Sequence, residues 1–489
     1  MTERHDRPGF PLIKIGLFIL WMTLFSMLLG RDYFIETIDT REAAALERAE
    51  RTVFQGIYFK DNKIGYVENQ FLPEGEQIVL RQKAHMQLNI SAQTHVIDLD
   101  MEATLDSGNR LQTFTFTFSS PFYRMAAAGQ VDGNTVSYTL ETGSSTIQDS
   151  MVLAKPPLLA TTRRAYLLIQ GIESGEKRRI PWFDPISLTA KESILEYRGK
   201  EQVLIHGRIF NLHRFNENFS GARVSSWLDD EGNVVKEESP AGFVFLKEPE
   251  FKAKQIDSES TELLSSVAVQ IVGEMIDLGS TTVAHYRLSL PDDHQFILNH
   301  GRQQFTDGLL IVTLETIPET STDEQVPLGF EKYLAATPYI QADAENIIAK
   351  STELTSGATT SLEKVKMLAD WVHNALEKRP VIGIPDAVTT LNNLRGDCNE
   401  HASLFAALSR AAGVPTQIAV GVVYHKEAFY YHAWNEVYLA GQWVSLDTTT
   451  NQFPADLSHL RFTGGGLQEQ ALIGSLLGSL KIEPLPNKQ

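Results

Sequence analysis

The stretch RGDCNEHASLFAALSRAAGVP (residues 395–415) joins a glycine-containing turn to a strong helix pattern. Apolar residues recur at helical spacing after the turn, and Gly413 followed by Pro415 ends the helix. Cys398 is the one cysteine among 489 residues, so no intramolecular disulfide can form. It stands at the predicted helix N-terminus, where the macrodipole favours thiolate over thiol. The pattern therefore predicts a cysteine nucleophile at this position.

Two strand patterns follow this helix. YHAWNEVY covers residues 431–438, and WVSLD covers residues 443–447 after a short hairpin connection. Counting back from the turn places Asp447 opposite or diagonal to His432. A carboxylate there can orient an imidazole whose other ring nitrogen faces a thiol. The predicted roles are nucleophile for Cys398, general base and then acid for His432, and orienting carboxylate for Asp447.

Each of these residues also has a purely structural explanation. A lone cysteine is often a small buried hydrophobe. A histidine on a strand is usually a surface or packing residue, and the structural interpretation of Asp447 is a cap at a strand end. The order of the three residues, with 34 positions from Cys398 to His432 and 15 from His432 to Asp447, favours one joint site.

Three separated motifs resemble the transglutaminase-like superfamily. They are Gly396-Asp397-Cys398, then His432-Ala433-Trp434 with Glu436-Val437-Tyr438, and finally Trp443-Val444-Ser445-Leu446-Asp447-Thr448-Thr449. The resemblance covers residues from about 360 to 450. It implies a papain-like α+β core, a triad of Cys398, His432 and Asp447, and thioester chemistry at amide bonds of a protein or peptide substrate. Members include cross-linking transglutaminases, peptidases and deglycosylating amidases, and some have lost activity.

No cofactor and no metal is predicted. The sequence lacks a calcium-ligand loop like those of animal transglutaminases, and its upstream histidines have no ligand spacing. The net charge of −18, from 43 basic and 61 acidic residues, argues against a nucleic-acid partner. The oligomeric state is left open.

Upstream of the resemblance the pattern is dominated by strands. Ile97 to Leu105 alternates apolar and acidic positions, and Phe114, Phe116 and Phe118 alternate with threonines. These signals predict an antiparallel β-rich domain at residues 53–250. One interpretation is that an apolar face holds a lipid or an extended peptide, although an ordinary half-buried sheet gives the same alternation.

Two further units complete the predicted body of the chain. A smaller β-rich unit with a linker is expected at residues 251–335 and a catalytic domain at residues 340–489. That domain begins with an amphipathic helix, for which Thr360 and Glu363 stand in capping-box spacing.

The N-terminus carries an apolar run from Leu12 to Leu29. It predicts an uncleaved signal anchor within residues 1–32, followed by a stalk at 33–52; a cleaved signal or a buried helix are the alternatives. The short tail and the acidic residues after the run favour a body outside the cytoplasm. The expected location is a single-pass inner membrane protein with its catalytic domain on the periplasmic or extracellular side.

Together these patterns predict a multidomain α+β protein with an N-terminal membrane helix, antiparallel β-rich domains and a C-terminal papain-like transglutaminase core. The predicted function is cysteine-dependent cleavage or transfer at amide or peptide bonds, with hydrolysis preferred over cross-linking. The alternative is a non-catalytic envelope binding or scaffold protein whose triad is unused or occluded. A third hypothesis is a zymogen-like protein in which a neighbouring domain covers the active-site cleft.

Overall fold

The computed structural model describes residues 36–37 and 51–486. Within that span it leaves out residues 91–92, 107–109, 122, 143–144, 154–155, 158–163, 165–166, 169–170, 185–188, 206, 220–221, 240–241, 257–267, 291–293, 295, 318–326, 382, 466–471 and 477–478.

The protein is mostly β, with 53% strand and 18% helix, so the predicted α+β class is wrong. The reason is the length of chain given to one large sheet, in which many long strands outweigh the few helices of the C-terminal part. Its strands are β1 (Glu36–Thr37), β2 (Arg51–Phe59), β3 (Asn62–Glu74), β4 (Gln77–Ile90), β5 (Gln93–Leu105), β6 (Leu111–Ser120), β7 (Tyr123–Asp132), β8 (Thr135–Thr142), β9 (Ser145–Val152), β10 (Lys177–Asp184), β11 (Thr189–Ile205), β12 (Arg208–Phe219), β13 (Ala222–Leu228), β14 (Val234–Glu238) and β15 (Phe243–Lys247).

The large sheet consists of two antiparallel meanders joined in the middle. Strands β2 to β9 follow one another as neighbours, and so do β10 to β15. The two halves meet where β15 pairs antiparallel with β2, and the short β1 adds a parallel edge to β10. Within each half, neighbouring strands follow one another directly along the chain, because antiparallel strands can be joined by short connections.

The alternation of apolar and polar residues along the strands determines which face of the sheet is buried. Ile97, Ala103 and Leu105 are buried on β5, and Phe114 and Phe116 are buried on β6. All of these side chains except Ile97 belong to one apolar cluster formed by β4 to β8. The alternation predicted from the sequence is therefore present, because every second residue of a strand faces the same side.

The C-terminal part combines small sheets with helices. Its strands are β16 (Val269–Gln270), β17 (Val283–Ser289), β18 (Gln303–Thr306), β19 (Leu309–Thr313), β20 (Glu377–Lys378), β21 (Arg395–Gly396), β22 (Thr416–His425), β23 (Ala428–Leu439), β24 (Gln442–Leu446), β25 (Leu460–Gly464) and β26 (Lys481–Leu485). Its helices, after the short α1 (Glu250–Ala253), are α2 (Glu345–Thr355), α3 (Ser361–Ala375), α4 (Ala387–Asn393) and α5 (Cys398–Ala411). Short 3₁₀ turns lie at Leu278–Ser280, Glu331–Tyr333 and Leu472–Leu476.

Two sheets of this part share one hydrophobic core with the helices. Strands β16, β23, β22 and β25 form one sheet, to which β24 adds through β23, and β18, β19, β17 and β26 form the other. Tyr286 and Val312 from the second sheet lie in the same buried cluster as Val365 of α3 and Phe405 of α5. The two small sheets therefore support α5 from the same apolar interior.

Among the residues that the structure describes, no helix is long and apolar enough to cross a membrane. This finding overturns the prediction of a single-pass membrane protein with an N-terminal membrane helix. That prediction rested on the apolar run from Leu12 to Leu29 with its short tail and flanking charges, and this run lies outside the described residues.

Candidate active site

Cys398 is the first residue of α5, and the turn before it is shaped by a capping box. The Asp397 carboxylate accepts from the Asn399 N–H at 3.0 Å, and Glu400 accepts from the Asp397 N–H at 2.9 Å. Gly396 allows this fold-back, because a Cβ there would lie 2.2 Å from the Glu400 Cβ. The local sequence thus fixes where the helix begins.

His432 lies on β23, which forms a hairpin with β24. The two connecting residues, Ala440 and Gly441, have φ of 47° and 84°, as a tight hairpin turn requires. Asn435, three residues after His432, donates from Nδ2 to the Ala402 carbonyl at 3.0 Å. This bond ties the histidine strand to the helix that begins at Cys398.

The predicted pair of His432 and Asp447 is hydrogen-bonded. His432 Nε2 lies 3.0 Å from Asp447 Oδ2, and both side chains are nearly buried. Asp447 directly follows β24, and its neighbour Leu446 pairs with Asn435, so the carboxylate sits diagonally across from His432. Because a carboxylate only accepts, His432 carries its proton on Nε2 and leaves Nδ1 for another partner.

Cys398 lies against the same strand. The Ala433 backbone N–H, adjacent to His432, hydrogen-bonds the sulfur. The residue as a whole is partly exposed, whereas its thiol is buried among the surrounding elements. The structure thus places the three residues singled out from the sequence in one region where α5, β23 and the end of β24 meet.

The resting thiol is not the low-pKa group that its helix position predicts. Burial raises the pKa of the Cys398 thiol well above its ordinary value, and the negative charge of Asp397 adds to the rise. The hydrogen bond from the Ala433 N–H acts in the opposite direction without cancelling it. A helix N-terminus offers only a fraction of a charge, whereas desolvation and a neighbouring carboxylate both disfavour the anion.

A second histidine, His459, binds the same carboxylate, and the sequence analysis missed it. His459 Nε2 lies 3.2 Å from Asp447 Oδ2, and its Nδ1 lies 3.0 Å from Asp456 Oδ1. The only sequence signal is Asp456 three residues before His459, the spacing of a local side-chain bond. That signal does not reveal the contact with Asp447 twelve residues away.

The hydrogen bond between Asp447 and His459 favours the charged form of each. Burial opposes the imidazolium of His459, but hydrogen bonds to Asp447 and Asp456 outweigh it and raise the His459 pKa. Burial likewise opposes ionisation of Asp447, yet the bonds from His432 and His459 hold the Asp447 pKa well below its usual range. Asp447 therefore stays a carboxylate whatever the state of the thiol.

Asp447 also receives two bonds from its own loop. The Thr449 N–H donates to Oδ1 at 2.8 Å, and the Thr450 hydroxyl donates to Oδ2 at 2.5 Å. With both histidines, Oδ2 receives three hydrogen bonds and Oδ1 receives one, which fixes the carboxylate in one orientation.

Burial shifts two further ionisable groups on α5 towards their neutral forms. Burial raises the pKa of Glu400 well above its ordinary value, and the charge of Asp397 adds to this. Burial also lowers the pKa of His401 to about 4, with a smaller contribution from Lys378. Asp397 is the acidic residue directly before Cys398 in sequence.

Arg302 holds the loop that carries Asp456 and His459. Its guanidinium donates to the Ala455 carbonyl, to the Asp456 carbonyl at 2.7 Å and to the His459 carbonyl at 3.0 Å. It also pairs with Glu315, which in turn accepts from the backbone and hydroxyl of Ser445 on β24. The small sheet of β17 to β19 thus clamps both sides of Asp447.

The set of His432, Asp447 and His459 meets the distance requirement for a metal ion. One ligand atom from each lies within 4.8 Å of the others. The same atoms are already joined in hydrogen bonds, and His459 is held between two carboxylates. This arrangement favours a proton-bearing pair of imidazoles over a metal centre.

Comparison with known proteins finds a family match that covers part of the candidate site. Residues 348–448 match the family model of the transglutaminase-like superfamily, which spans α5, His432 and Asp447. An uncharacterised protein of Haemophilus influenzae is 30% identical over 168 residues, a match that covers 28% of this chain and 43% of the relative. The chain thus spans less than half the length of that relative.

Two solved structures show weak likeness to the chain. A "putative cysteine protease" of Cytophaga hutchinsonii is 17% identical and has a TM-score of 0.29, over 44% of this chain and 82% of that one. A "putative protease" of Parabacteroides distasonis is 12% identical with a TM-score of 0.19, over 69% and 68% of the two chains. Both TM-scores are below 0.5, so the assignment rests on the family model. Residues 348–448 of this chain form a transglutaminase-like domain.

Proposed function

We propose that this protein is a transglutaminase-like cysteine enzyme that acts on amide or peptide bonds through a thioester at Cys398. His432 is the general base and then the general acid, and Asp447 orients its ring. The observation that carries the proposal is the His432–Asp447 hydrogen bond beside a cysteine that begins a helix. The family match over residues 348–448 supports the same class of chemistry.

The raised thiol pKa defines the order of proton transfer in this proposal. Cys398 rests as a neutral thiol, and its proton passes to His432 Nδ1 as sulfur attacks the carbonyl carbon. His432 then gives that proton to the leaving nitrogen, the C–N bond breaks, and an amine departs. Water attacks the thioester, and His432 takes its proton and returns it to sulfur as the C–S bond breaks, which releases a carboxylic acid and the thiol.

The backbone N–H of Cys398 is a candidate donor to the developing oxyanion. The first N–H groups of a helix have no partner within that helix, and here the capping carboxylate of Asp397 takes the one of Asn399. A donor aimed at the charge that forms in the transition state lowers the barrier without reorganisation.

We propose hydrolysis in preference to cross-linking, so water is the usual acceptor of the acyl group. Peptide carboxamides incubated with the protein should yield free acid, and added hydroxylamine should divert only part of the product to hydroxamate. Mass spectrometry of the products measures the ratio. Product formed only when an amine is present would instead identify a transamidase.

The central test is the alkylation of Cys398 by iodoacetamide from pH 4 to 9. Because Cys398 is the sole cysteine, every carbamidomethyl group that intact-mass spectrometry detects reports this site. At pH 7 the wild type should react at least about tenfold faster than His432→Ala, since the base is needed to remove the proton of a buried thiol.

The matched control is His425→Ala, which removes an exposed histidine at the end of the neighbouring strand β22. It should label like the wild type. Equal rates for wild type and His432→Ala, with both rising only as an ordinary thiol ionises near about pH 8.5, would overturn the proposal. That result would support the reading of a binding protein with an unused triad.

A further inference from the structure

The hairpin of β11 and β12 extends past the strands beside it. Strand β10 pairs with β11 only as far as Glu196, and β13 pairs with β12 only from His213 onwards. Beyond these points, residues 201–205 and 208–212 pair with each other alone among the described strands. The end of this hairpin is therefore a two-stranded ribbon that outruns both of its neighbours in the large sheet.

The two faces of the ribbon differ in burial. Val203 and Ile205 are buried in an apolar cluster with Trp227 of β13. Leu204 and its cross-strand neighbour Ile209 lie on the other face and are 68% and 70% exposed. Single exposed aliphatic side chains are common on proteins, whereas a contiguous exposed set marks an interaction site.

The exposed pair continues into the turn. Phe210 is 37% exposed, and Arg208 is exposed beside it. Gly207 has a φ of 76°, which a tight connection between the two strands requires. Four neighbouring side chains thus share the end of the ribbon, and we call them the hairpin tip: Leu204, Arg208, Ile209 and Phe210.

The hairpin tip is positively charged in a protein that is acidic as a whole. Residues 202–216 contain no Asp or Glu, although acidic residues outnumber basic ones 61 to 43 in the chain. Arg208 forms no ion pair with any residue that the structure describes. At the base of the ribbon, Glu201 and Asp230 are each paired with a cation. The free charge at the tip is therefore that of a guanidinium.

This combination fits an anionic lipid surface better than a protein partner. Three apolar side chains fall far short of the roughly 800 Å² per partner that a stable protein interface buries. At a lipid surface, however, aliphatic and aromatic side chains can enter the boundary between headgroups and acyl chains. A guanidinium beside them can bind a phosphate through charge-assisted hydrogen bonds.

We propose that the hairpin tip docks on a lipid surface with anionic headgroups. Leu204, Ile209 and Phe210 enter the headgroup region, and Arg208 binds a lipid phosphate. The contact is made by a β-hairpin at the surface of the bilayer. It is independent of the chemistry at Cys398, so either proposal can fail while the other stands.

The test places a fluorescent probe on the tip of the full chain. Cys398→Ser removes the sole cysteine, and Ile209→Cys then provides one site for an environment-sensitive nitrobenzoxadiazole dye. With vesicles of phosphatidylglycerol and phosphatidylcholine in equal parts, the emission should shift to the blue and increase. Lipids that carry a nitroxide near the headgroup should quench it. A probe at this position reports the tip itself, whichever other part of the chain meets the vesicle.

Substitutions at the tip should weaken this response by predictable amounts. Leu204→Thr should raise the lipid concentration at half-maximal emission about tenfold, because less apolar surface leaves water. Arg208→Gln should raise it about fivefold on anionic vesicles, the contribution of one cation near such a surface. Both side chains are exposed, so the melting temperature should not change.

The matched control carries the dye at another exposed apolar position of the same sheet. Val152→Cys in the Cys398→Ser background is suitable, since Val152 at the end of β9 is 79% exposed. Its emission should not respond to vesicles. Equal responses at positions 152 and 209 would show general adsorption and overturn the proposal.

Other outcomes would also overturn it. These are an unchanged emission at position 209, a response that survives both Leu204→Thr and Arg208→Gln, and an equal response on vesicles of phosphatidylcholine alone. A blue shift that appears without vesicles and grows with protein concentration would identify a second copy of the chain as the partner. A quenched response at position 209 that requires anionic lipid and weakens in both variants supports the proposal.

Discussion

A single carboxylate, Asp447, organises the site by accepting from two imidazoles at once. His432 and His459 both bind its Oδ2, and only His459 has a second carboxylate, Asp456, on its other nitrogen. His459 is therefore a candidate positioning residue, because it supplies a second imidazole to Asp447, whose Oδ2 also holds His432 Nε2. The proton positions in the site therefore depend on the hydrogen-bond partner of each imidazole nitrogen.

His459 should make the stability of the protein depend on pH. Because its folded pKa is raised, its contribution is fully present below about pH 6.5, the unfolded value, and is lost as pH rises through the folded pKa. His459→Asn should lower the free energy of unfolding by about 3 kcal/mol at pH 6 and by less at pH 9. Urea unfolding at the two pH values measures the difference, with exposed His425→Asn as the control. A loss that is equal or larger at pH 9 would contradict this role.

Asp397 affects the thiol through its charge and the helix through its cap. Asp397→Asn keeps a good cap but removes the negative charge that raises the Cys398 pKa. Iodoacetamide labelling at pH 8 should therefore become faster, with little change in melting temperature. Asp370→Asn, an exposed acidic position on α3, should leave the labelling rate unchanged. Slower labelling in Asp397→Asn would mean that the carboxylate assists ionisation.

At the scale of elements, the small sheet of β17 to β19 acts as a brace for the loop that follows β24. Arg302, next to β18, reaches three carbonyls of residues 455–459, and the Tyr286 hydroxyl donates to the Leu457 carbonyl at 3.0 Å. Backbone carbonyls of a loop need donors when they are buried, and here another element supplies them. The position of His459 therefore depends on a strand pair more than 150 residues away.

Removing this brace should weaken both folding and reactivity. Arg302→Met removes the guanidinium that binds the loop carbonyls and Glu315, and should lower the free energy of unfolding by about 3 kcal/mol. It should also slow iodoacetamide labelling of Cys398, because the loop no longer holds Asp447 and His459 in place. The comparison is Arg287→Met, whose pair with Glu483 is exposed and should matter by less than about 1 kcal/mol. Equal losses in the two variants would argue against a specific brace.

At the scale of the whole molecule, the large sheet and the C-terminal part are joined through Asp386. Its carboxylate links Thr142 of β8 to Gln341 and to the start of α4. Thr142 and Asp386 are 244 positions apart, yet both are almost fully buried. The two parts therefore stabilise one another through a junction that is polar as well as apolar.

Asp386→Ala should uncouple the two parts. It leaves buried donors on Thr142 and Gln341 and removes the cap of α4, for a loss of about 3 kcal/mol. In scanning calorimetry the heat absorption should broaden or split into two transitions, because the sheet and the C-terminal core no longer unfold together. Asp149→Ala, at an exposed position of β9, serves as control. A single sharp transition at lower temperature would indicate that other contacts maintain the coupling.

Local patterns in the sequence predicted local structure well. The capping box of Thr360 and Glu363 begins α3, and the hairpin of β23 and β24 places Asp447 near His432. Features that depend on distant contacts were out of reach. The helix position of Cys398 suggested a low thiol pKa, but burial beneath other elements decides its direction. No periodicity indicates that His459 meets Asp447 or that Thr142 meets Asp386.

The pairing of β15 with β2 has a mechanical consequence. Gln55 lies opposite Lys247, so the chain enters β2 at residue 51 and leaves β15 at residue 247 from the same end of one antiparallel ladder. Tension applied between these two points loads the hydrogen bonds of that ladder one after another, as in opening a zipper. The sheet should therefore part along its centre at low force, while the strand pairs on either side remain unstretched.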